Sequence, residues 1–169
     1  LIEESNASKL DLALVFVDFS KAFDMVSHDI LLHKLKHYGI RGIAHDWFRS
    51  YLDNRQQYVS IDGKNSSTQR LKYGVPQGSI LGPLLFIIYI NDIPEINKIA
   101  KFILYADDAN IILTADTFAE IEAMFEQLSA ALVMWVSNNG LLLNIRKTNY
   151  MIFTRHRQPN VESLVLNMG

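Results

Sequence analysis

Two adjacent aspartates, Asp107 and Asp108, lie between two short apolar segments of the chain, residues 102–104 and 111–113. Both segments have the composition of strands, which predicts a hairpin with the aspartates at its tip. Neighbouring carboxylates repel each other, and burying either one without compensation is unfavourable. A divalent cation such as Mg²⁺ removes this cost because it prefers oxygen ligands. The pair therefore indicates a candidate metal site, with an ordinary acidic turn as the alternative.

A third carboxylate, Asp18, ends a buried strand predicted over residues 13–17. In an antiparallel sheet this strand can lie beside the aspartate hairpin. Three carboxylates at one sheet edge can hold two Mg²⁺ ions roughly 4 Å apart. Such a pair of ions activates an attacking hydroxyl and stabilises the leaving oxygen in phosphoryl transfer. A simple strand-end role for Asp18 is the alternative.

A motif over residues 74–86 begins with a glycine-rich loop at 74–82, which leads into an apolar helix that ends near Asn91 and Asp92. Its glycines let the backbone approach a flat or phosphate-bearing ligand closely. Gln77 offers both a donor and an acceptor at that surface, and the helix N-terminus points its amides toward the same place. A plain loop before a buried helix is the alternative.

The remaining elements predict an α+β fold with a mainly antiparallel sheet, because strands and helices are mixed and the connections are hairpins. We expect the helices to pack on one face of this sheet. Ser27 is a candidate N-cap for a helix that Gly39 closes, and residues 47–52 mark a second short helix. Thr117 and Glu120 form a capping box for a helix that ends at residues 138–140. Further extended segments are predicted at 57–61 and 68–73 around a turn at 62–63, and at 141–145, 150–153 and 161–166.

The composition is that of a globular protein. The 169 residues suffice for one domain, and 49% of them are hydrophobic and 20% charged. The absence of cysteine excludes a disulfide framework and a thiolate metal site. No apolar run reaches membrane-spanning length. The formal net charge of −2, from 16 basic and 18 acidic residues, is less positive than is typical of nucleic-acid-binding proteins.

Three motifs together resemble the palm of reverse transcriptases. They are residues 16–24, the glycine-rich run at 74–86, and Tyr105-Ala106-Asp107-Asp108, and they occur in the order found in that family. The resemblance is to the non-LTR (LINE-type, jockey-like) retrotransposon branch, which residues 47–52, 89–94 and 143–148 also resemble. It extends over about residues 12–153.

The resemblance implies an RNA-directed DNA polymerase that adds deoxynucleotides to a DNA primer 3′-hydroxyl on an RNA template, with two Mg²⁺ ions, for which Mn²⁺ could substitute. The implied catalytic residues are Asp18, Asp107 and Asp108. The implied metal ligands are these three carboxylates and the backbone carbonyl of Phe19. The implied nucleotide-binding residues are Phe23, Gln77, Gly78 and Lys147. The implied primer or template contacts are Tyr105 and Pro76.

Two of these assignments have simpler alternatives, and so has one further residue of the first motif. Phe23 falls where the family places an aromatic gate that excludes a 2′-hydroxyl, but a core phenylalanine is also common. Lys147 is implied to approach the triphosphate, although a lysine after a strand is usually a solvated surface group. Asp24 belongs to the family pattern without a derived role, and helix capping or a salt bridge is the simple interpretation.

One departure from the family concerns basic residues. The family grips the triphosphate with basic residues upstream of the first motif, whereas only 17 residues precede Asp18 here and Lys9 is the one basic residue among them. We therefore expect residues 1–169 to be a palm fragment with part of the fingers and no thumb, weak or inactive alone. Arg155, His156 and Arg157 form a basic cluster that could meet phosphate, with a solvated charge run as the alternative.

Two rival interpretations remain at this point. The first is another metal-dependent palm, such as an RNA-dependent RNA polymerase or a nucleotide cyclase, against which Phe23 and the glycine-rich run argue. The second is a non-catalytic remnant that only binds nucleic acid or protein, against which the intact aspartates argue. The family resemblance implies work in the nucleus after translation in the cytoplasm, and no membrane association; the oligomeric state stays unknown.

Overall fold

A computed structural model describes residues 10–154 of the chain. By their contacts these residues divide into two compact units. Unit 1 comprises residues 10–20 and 91–154, and unit 2 comprises residues 21–90. The predicted strand at 161–166 and the basic cluster at 155–157 lie outside the described residues.

The secondary structure confirms the predicted mixture of helices and antiparallel strands. The helices are α1 (His28–His37), α2 (Gly42–Leu52), α3 (Leu81–Ile90) and α4 (Phe118–Asn138). The strands are β1 (Asp11–Asp18), β2 (Gln56–Gln57), β3 (Ser60–Ile61), β4 (Lys64–Asn65), β5 (Gln69–Arg70), β6 (Lys101–Tyr105), β7 (Asp108–Ala115) and β8 (Asn149–Phe153). Short 3-10 turns occupy Ala22–Asp24 and Ile93–Ile96. Within the described part, no helix has the length and hydrophobicity that crossing a membrane requires.

Unit 1 is built on a four-stranded antiparallel sheet with the order β6-β7-β1-β8. Val15 in the middle of β1 stands opposite Ile111 on one side and Tyr150 on the other. Alternation along the strands gives the sheet two different faces. Val15 and Ile111 are buried on the face that α4 covers, whereas Phe16 and Ile103 are partly exposed on the other. Helical packing against one face of this sheet is thus as expected.

Helix α4 follows its local sequence signals closely. The Thr117 hydroxyl accepts a hydrogen bond from the Glu120 N–H, and the Glu120 carboxylate accepts one from the Thr117 N–H, which confirms the capping box. The buried side of the helix carries apolar residues such as Phe125, whose ring meets Tyr150 of β8 edge to face. Gly140 ends the helix with a φ of 62°, a conformation that glycine adopts without steric cost.

The strand predicted over residues 141–145 is wrong. Leu143 makes a single β-bridge to Phe19, and the chain turns directly afterwards. The turn forms because the carbonyl of Asn144 accepts hydrogen bonds from the N–H groups of Lys147 and Thr148. Leu141 is buried whereas Leu142 and Ile145 are exposed, so the apolar composition of this segment does not correspond to a continuous ladder.

Unit 2 holds the other three helices. The Ser27 side chain caps α1 by accepting from the Ile30 N–H, as predicted. Helix α1 packs against α2 and α3. The Lys34 ammonium of α1 donates to the Tyr89 carbonyl of α3 over 2.6 Å, and a cation there is favourable because the helix C-terminus is partly negative.

The two extended arms of unit 2 are less regular than predicted. Strands β2 and β5 pair with each other, and β3 and β4 form a separate hairpin around a turn at Asp62 and Gly63. The turn is therefore where the sequence places it, but its direct partners are residues 60–61 and 64–65. Asp62 and Gly63 both have positive φ, which suits the tight two-residue connection.

Candidate active site

Strand pairing places Asp18, Asp108 and Tyr105 in one row of unit 1, the aspartate row. Asp18, the last residue of β1, stands opposite Asp108, the first residue of β7. On its other side Asp108 stands opposite Tyr105, the last residue of β6. Directly opposed residues share a face of the sheet, with Cβ atoms roughly 4.5–5.5 Å apart. These three side chains therefore lie side by side on the face that α4 leaves open, and Tyr105 is 79% exposed there.

Asp107 lies in the turn that joins β6 to β7, next to this row. The turn consists of Ala106 and Asp107, between the paired Tyr105 and Asp108. Ala106 has a φ of 51°, in the left-handed region that residues with a side chain seldom adopt. Such backbone strain costs roughly 1–3 kcal/mol and is concentrated at functional sites. The hairpin thus holds the Asp107 carboxylate at its tip, in a strained turn.

The aspartates carry unbalanced negative charge. Within residues 10–154, no salt bridge or side-chain hydrogen bond engages the carboxylates of Asp18, Asp107 or Asp108. Like charges directly opposite each other on neighbouring strands are destabilising. In the same stretch, no three acidic, histidine or cysteine side chains are grouped closely enough to hold a metal ion. A metal centre at these residues stays a prediction, which the all-oxygen donor set fits.

The backbone of Asp18 is fastened by the segment that follows α4. The Asp18 carbonyl accepts a 2.8 Å hydrogen bond from the Asn144 N–H, and the Asp18 N–H donates to the Thr148 hydroxyl over 3.3 Å. One residue beyond Phe19, the Ser20 N–H donates to the Leu142 carbonyl. The motif at 143–148 thus supports the end of β1. The sequence interpretation assigned no role to Thr148, and its place in the motif at 143–148 is the signal that could have indicated one.

The Phe19 carbonyl has an orientation that follows from the same hydrogen bonds. In the bridge between Phe19 and Leu143, the flanking residues make the hydrogen bonds, so this is a non-hydrogen-bonded pair. The Phe19 N–H and carbonyl consequently point away from Leu143, toward the side of β1 on which β7 lies. Asp107 and Asp108 are on that side. The direction suits the predicted ligand role, which itself stays a prediction.

Lys147 lies in the turn that fastens Asp18. Its side chain is exposed, its N–H donates to the Asn144 carbonyl, and its own carbonyl accepts from the Asn149 side chain over 2.7 Å. The predicted contact with a triphosphate is untested, but the backbone of this residue belongs to the support of the aspartate row.

The predicted nucleotide-binding residues Phe23, Gln77 and Gly78 belong to unit 2. The half-buried ring of Phe23 packs on Phe86 of α3, with 4.7 Å between the ring centroids. The Phe23 carbonyl accepts a 2.9 Å hydrogen bond from the Val75 N–H. The gate candidate is therefore held from both sides by the glycine-rich run and the helix that follows it.

The loop before α3 presents Gln77 and Gly78 at the surface. The Pro76 carbonyl accepts from the Ser79 hydroxyl over 2.8 Å, and the same hydroxyl accepts from the Gly82 N–H over 2.9 Å. A Cβ on Gly82 would lie 2.5 Å from the Pro76 carbonyl oxygen, so only glycine fits this position of the helix. Gly78 has a φ of 79°. The loop is thus a compact turn with Gln77 exposed at its outer side.

A cavity of about 680 Å³ in unit 2 adjoins this loop. Pro76 and Gln77 line it together with one acidic residue, Asp24. Its basic lining residues are Lys21, Arg55, Arg70 and Lys72. Arg70 pairs with Asp53, whereas the other three cations form no ion pair among residues 10–154. The cavity is suited to an anionic ligand.

Comparison with known proteins relates these motifs to one family. The model of the family described as reverse transcriptase (RNA-dependent DNA polymerase) matches residues 2–166. A probable RNA-directed DNA polymerase from transposon BS of Drosophila melanogaster is 31% identical over 153 residues, which cover 83% of this chain and 16% of that protein. The RNA-directed DNA polymerase from the mobile element jockey of the same species is 29% identical over 145 residues, or 82% of this chain and 16% of that protein. The chain thus spans about a sixth of the length of these relatives.

Telomerases are among the solved structures that share this fold. Apo telomerase from Candida tropicalis, truncated from the C-terminal domain, aligns with a TM-score of 0.66 and 15% identity, over 89% of this chain and 32% of that chain. Telomerase from Candida albicans, in complex with a TWJ fragment of telomeric RNA, aligns with a TM-score of 0.63 and 14% identity, over 88% of this chain and 27% of that chain. At this identity the likeness concerns the fold alone.

The relatives named for jockey and transposon BS confirm the resemblance to the non-LTR retrotransposon branch. The family match spans nearly every residue. It includes the strand that ends at Asp18 and the segment at 143–148 that supports this strand end. The chain belongs to the reverse transcriptase family.

Proposed function

We propose that this chain is the palm, with part of the fingers, of an RNA-directed DNA polymerase from a non-LTR retrotransposon. The reaction is the addition of a deoxynucleoside triphosphate to a primer 3′-hydroxyl on an RNA template, with release of pyrophosphate. The observation that carries the proposal is the pairing of Asp18 with Asp108, beside Asp107, in a chain of the reverse transcriptase family. In this assignment unit 1 is the palm sheet.

The aspartate row and the neighbouring Asp107 would hold the divalent metal ions that reverse transcriptases use. Mg²⁺ is the proposed ion, with Mn²⁺ as a substitute, because carboxylate and carbonyl oxygens suit both. Asp18, Asp107, Asp108 and the Phe19 carbonyl are the proposed ligands. When bound, two such ions activate the attacking hydroxyl and stabilise the leaving oxygen. This role would also relieve the repulsion between the paired carboxylates.

The other residues of the site position the substrates. Tyr105 lies in the aspartate row, so its proposed contact is the primer end. Phe23 is the proposed gate under the sugar, and Gln77 with Gly78 the proposed contact to the incoming nucleotide. Positioning of this kind supplies much of the catalysis in phosphoryl transfer, because little covalent chemistry is left for the protein.

The cavity beside Gln77 supports binding of nucleic acid. Lys21, Arg55 and Lys72 concentrate positive charge there although the whole chain has a net charge of −2. Phosphate contacts of this kind supply most of the sequence-independent affinity of a polymerase for its template and primer. The charge of the chain therefore does not argue against an RNA template once its distribution is considered.

A substitution of Asp107 tests the proposal. Asp107→Asn is expected to lower Mg²⁺-dependent primer extension by about 10³-fold, since metal stabilisation of the transition state is worth several kcal/mol. Extension is measured on an RNA template with the full-length protein that carries this chain. Asp116→Asn, an exposed aspartate of unit 1 beyond β7, is the matched control and is expected to leave the rate unchanged.

Unchanged extension by Asp107→Asn would contradict the metal-site assignment. Binding of RNA without any Mg²⁺- or Mn²⁺-dependent extension by the parent protein would instead favour the non-catalytic remnant.

A further inference from the structure

The side chains of Asp24 and Gln77 are joined by a hydrogen bond in unit 2. The Gln77 Nε2 donates to the Asp24 Oδ1 over 2.8 Å. The two residues come from different motifs and are 53 positions apart in the chain. Asp24 is the last residue of a 3-10 turn whose flanking cap residues are Lys21 and Met25, so helix capping does not explain it. Among residues 10–154, its recorded side-chain partner is this amide and not a cation.

Backbone hydrogen bonds hold the two motifs together on either side of this contact. The Val75 N–H donates to the Phe23 carbonyl over 2.9 Å, and the Gly74 N–H donates to the Val26 carbonyl over 2.8 Å. Gly74 has a φ of 88°, and a Cβ on it would lie 3.1 Å from the Asp24 carbonyl oxygen. The glycine therefore lets the loop lie directly against the residue that binds Gln77.

The chemistry of the two groups determines which way the Gln77 amide faces. An ionised carboxylate can only accept hydrogen bonds, whereas the amide carries donors on Nε2 and acceptors on Oε1. Turning the amide over would bring its oxygen against the carboxylate, which is repulsive. The Asp24 contact thus selects one orientation, in which the Oε1 of the exposed Gln77 is left for a hydrogen-bond donor from outside the loop.

We propose that Asp24 is a positioning residue: by binding the Gln77 Nε2 it presents the Gln77 Oε1 as an acceptor for a hydroxyl or amino donor of the bound nucleotide. This inference rests on the proposed function, in which Gln77 contacts the nucleotide. Its physical basis is preorganisation, because an exposed glutamine otherwise samples several rotamers and both amide orientations. Asp24 does not touch the substrate in this arrangement.

Steady-state primer extension with varied deoxynucleotide concentration tests the inference. Asp24→Asn introduces an amide that can donate to Oε1 and so removes the selection of one orientation. We expect it to raise KM for the deoxynucleotide about tenfold with little change in kcat, and we expect the same effect from Gln77→Ala. The double variant is expected to be no worse than Gln77→Ala, since Asp24 acts through Gln77. Asp24→Glu keeps the carboxylate and is expected to restore part of the affinity.

The control is Asp29→Asn, an exposed aspartate in the first turn of α1 with the same change of charge. It is expected to leave KM unchanged. An unchanged KM in Asp24→Asn would overturn the inference, as would effects of Asp24→Asn and Gln77→Ala that add in the double variant. An unchanged KM in Gln77→Ala would overturn it too, because nothing would then be positioned.

The outcome separates this inference from the proposed function. If Asp107→Asn abolishes extension while Asp24→Asn leaves KM unchanged, only the positioning role fails. If Asp107→Asn has no effect, the proposed function fails, whatever Asp24→Asn does.

Discussion

In unit 1 the carboxylates of Asp18 and Asp108 stand opposite each other, with no side-chain hydrogen bond or ion pair recorded for either among residues 10–154. In unit 2 the carboxylate of Asp24 accepts a 2.8 Å hydrogen bond from Gln77, and that of Asp53 is paired with Arg70. The two carboxylates of unit 1 repel each other. The two carboxylates of unit 2 each have a hydrogen-bond or ion-pair partner within the chain. An acidic cluster of the first kind is stabilised by a ligand of opposite charge, whereas an arrangement of the second kind is already organised before any ligand binds.

The two arrangements are also held in place differently. Asp18 and Asp108 meet because β1 and β7 pair over eight residues, so their placement depends on the register of a whole strand pair. Gln77 meets Asp24 because a few backbone hydrogen bonds and one glycine bring a loop against a 3-10 turn. Damage to the core of the sheet should therefore disturb the aspartates, and single changes in the loop should disturb Gln77.

The largest effect on stability is expected at the glycine that lets the loop approach Asp24. Gly74→Ala combines a positive φ with a Cβ crowded by the Asp24 backbone, and should lower the free energy of unfolding by roughly 2–4 kcal/mol. The matched control is Gly63→Ala, which has a φ of 75° but nothing within 4 Å of its Cβ, and should cost about 1–2 kcal/mol. Denaturant unfolding measures both. Equal costs would show that the approach to Asp24 is not tight.

The next effect concerns the gate. Phe23→Val should reduce discrimination against ribonucleotides about tenfold or more, because the shorter side chain leaves room for a 2′-hydroxyl. Incorporation of ribonucleotides and deoxynucleotides on one RNA template gives the ratio. Phe48→Val, at another half-buried phenylalanine of unit 2, should leave the ratio unchanged. If ribonucleotides stay as poorly incorporated by Phe23→Val as by the parent, Phe23 is a packing residue for Phe86 and not a gate.

A smaller effect on stability should show that the Asp18–Asp108 pair is repulsive whereas the Asp24–Gln77 contact is attractive. Asp108→Asn removes a repulsion, so in the presence of a chelator it should raise the free energy of unfolding by up to about 1 kcal/mol. Asp24→Asn should not raise it. Added Mg²⁺ or Mn²⁺ should stabilise the parent more than Asp108→Asn, because binding to the folded state adds to stability. A destabilised Asp108→Asn variant under chelation would show that the pair is not repulsive.

The smallest effect is a dependence on pH of the stability that Asp53 of unit 2 contributes. The hydrogen bond from the Arg70 guanidinium, with that of the Asn54 N–H, holds the pKa of the Asp53 carboxyl below its usual value of 3.8. A lowered pKa in the folded state contributes stability above 3.8 that is lost as the pH falls through the folded-state value. Urea midpoints of the parent should therefore exceed those of Asp53→Asn at pH 7 and converge with them in strong acid. Asp62→Asn is the control, and a constant difference at all pH values would contradict the pairing.

Local signals in the sequence predicted the elements where the signal is strong. The Ser27 cap, the capping box of Thr117 and Glu120, and the aspartate hairpin are all confirmed, because each depends on neighbours within a few residues. The strand predicted at 141–145 is wrong, since apolar composition does not distinguish a strand from a segment that makes a single β-bridge and then turns. The irregular arms of unit 2 were likewise predicted too long, because short strands depend on partners that their own composition does not specify.

The sequence by itself determined which residues could do chemistry and to which family they belong, since motif order and residue type are properties of the chain. Only the tertiary structure decided that Asp108, and not Asp107, stands opposite Asp18, and that Asp24 holds Gln77. The reason is that strand register is set by the packing of whole faces, and a slip of one residue would turn every side chain to the other side. Contacts between positions 53 or 90 residues apart cannot be deduced from either segment alone.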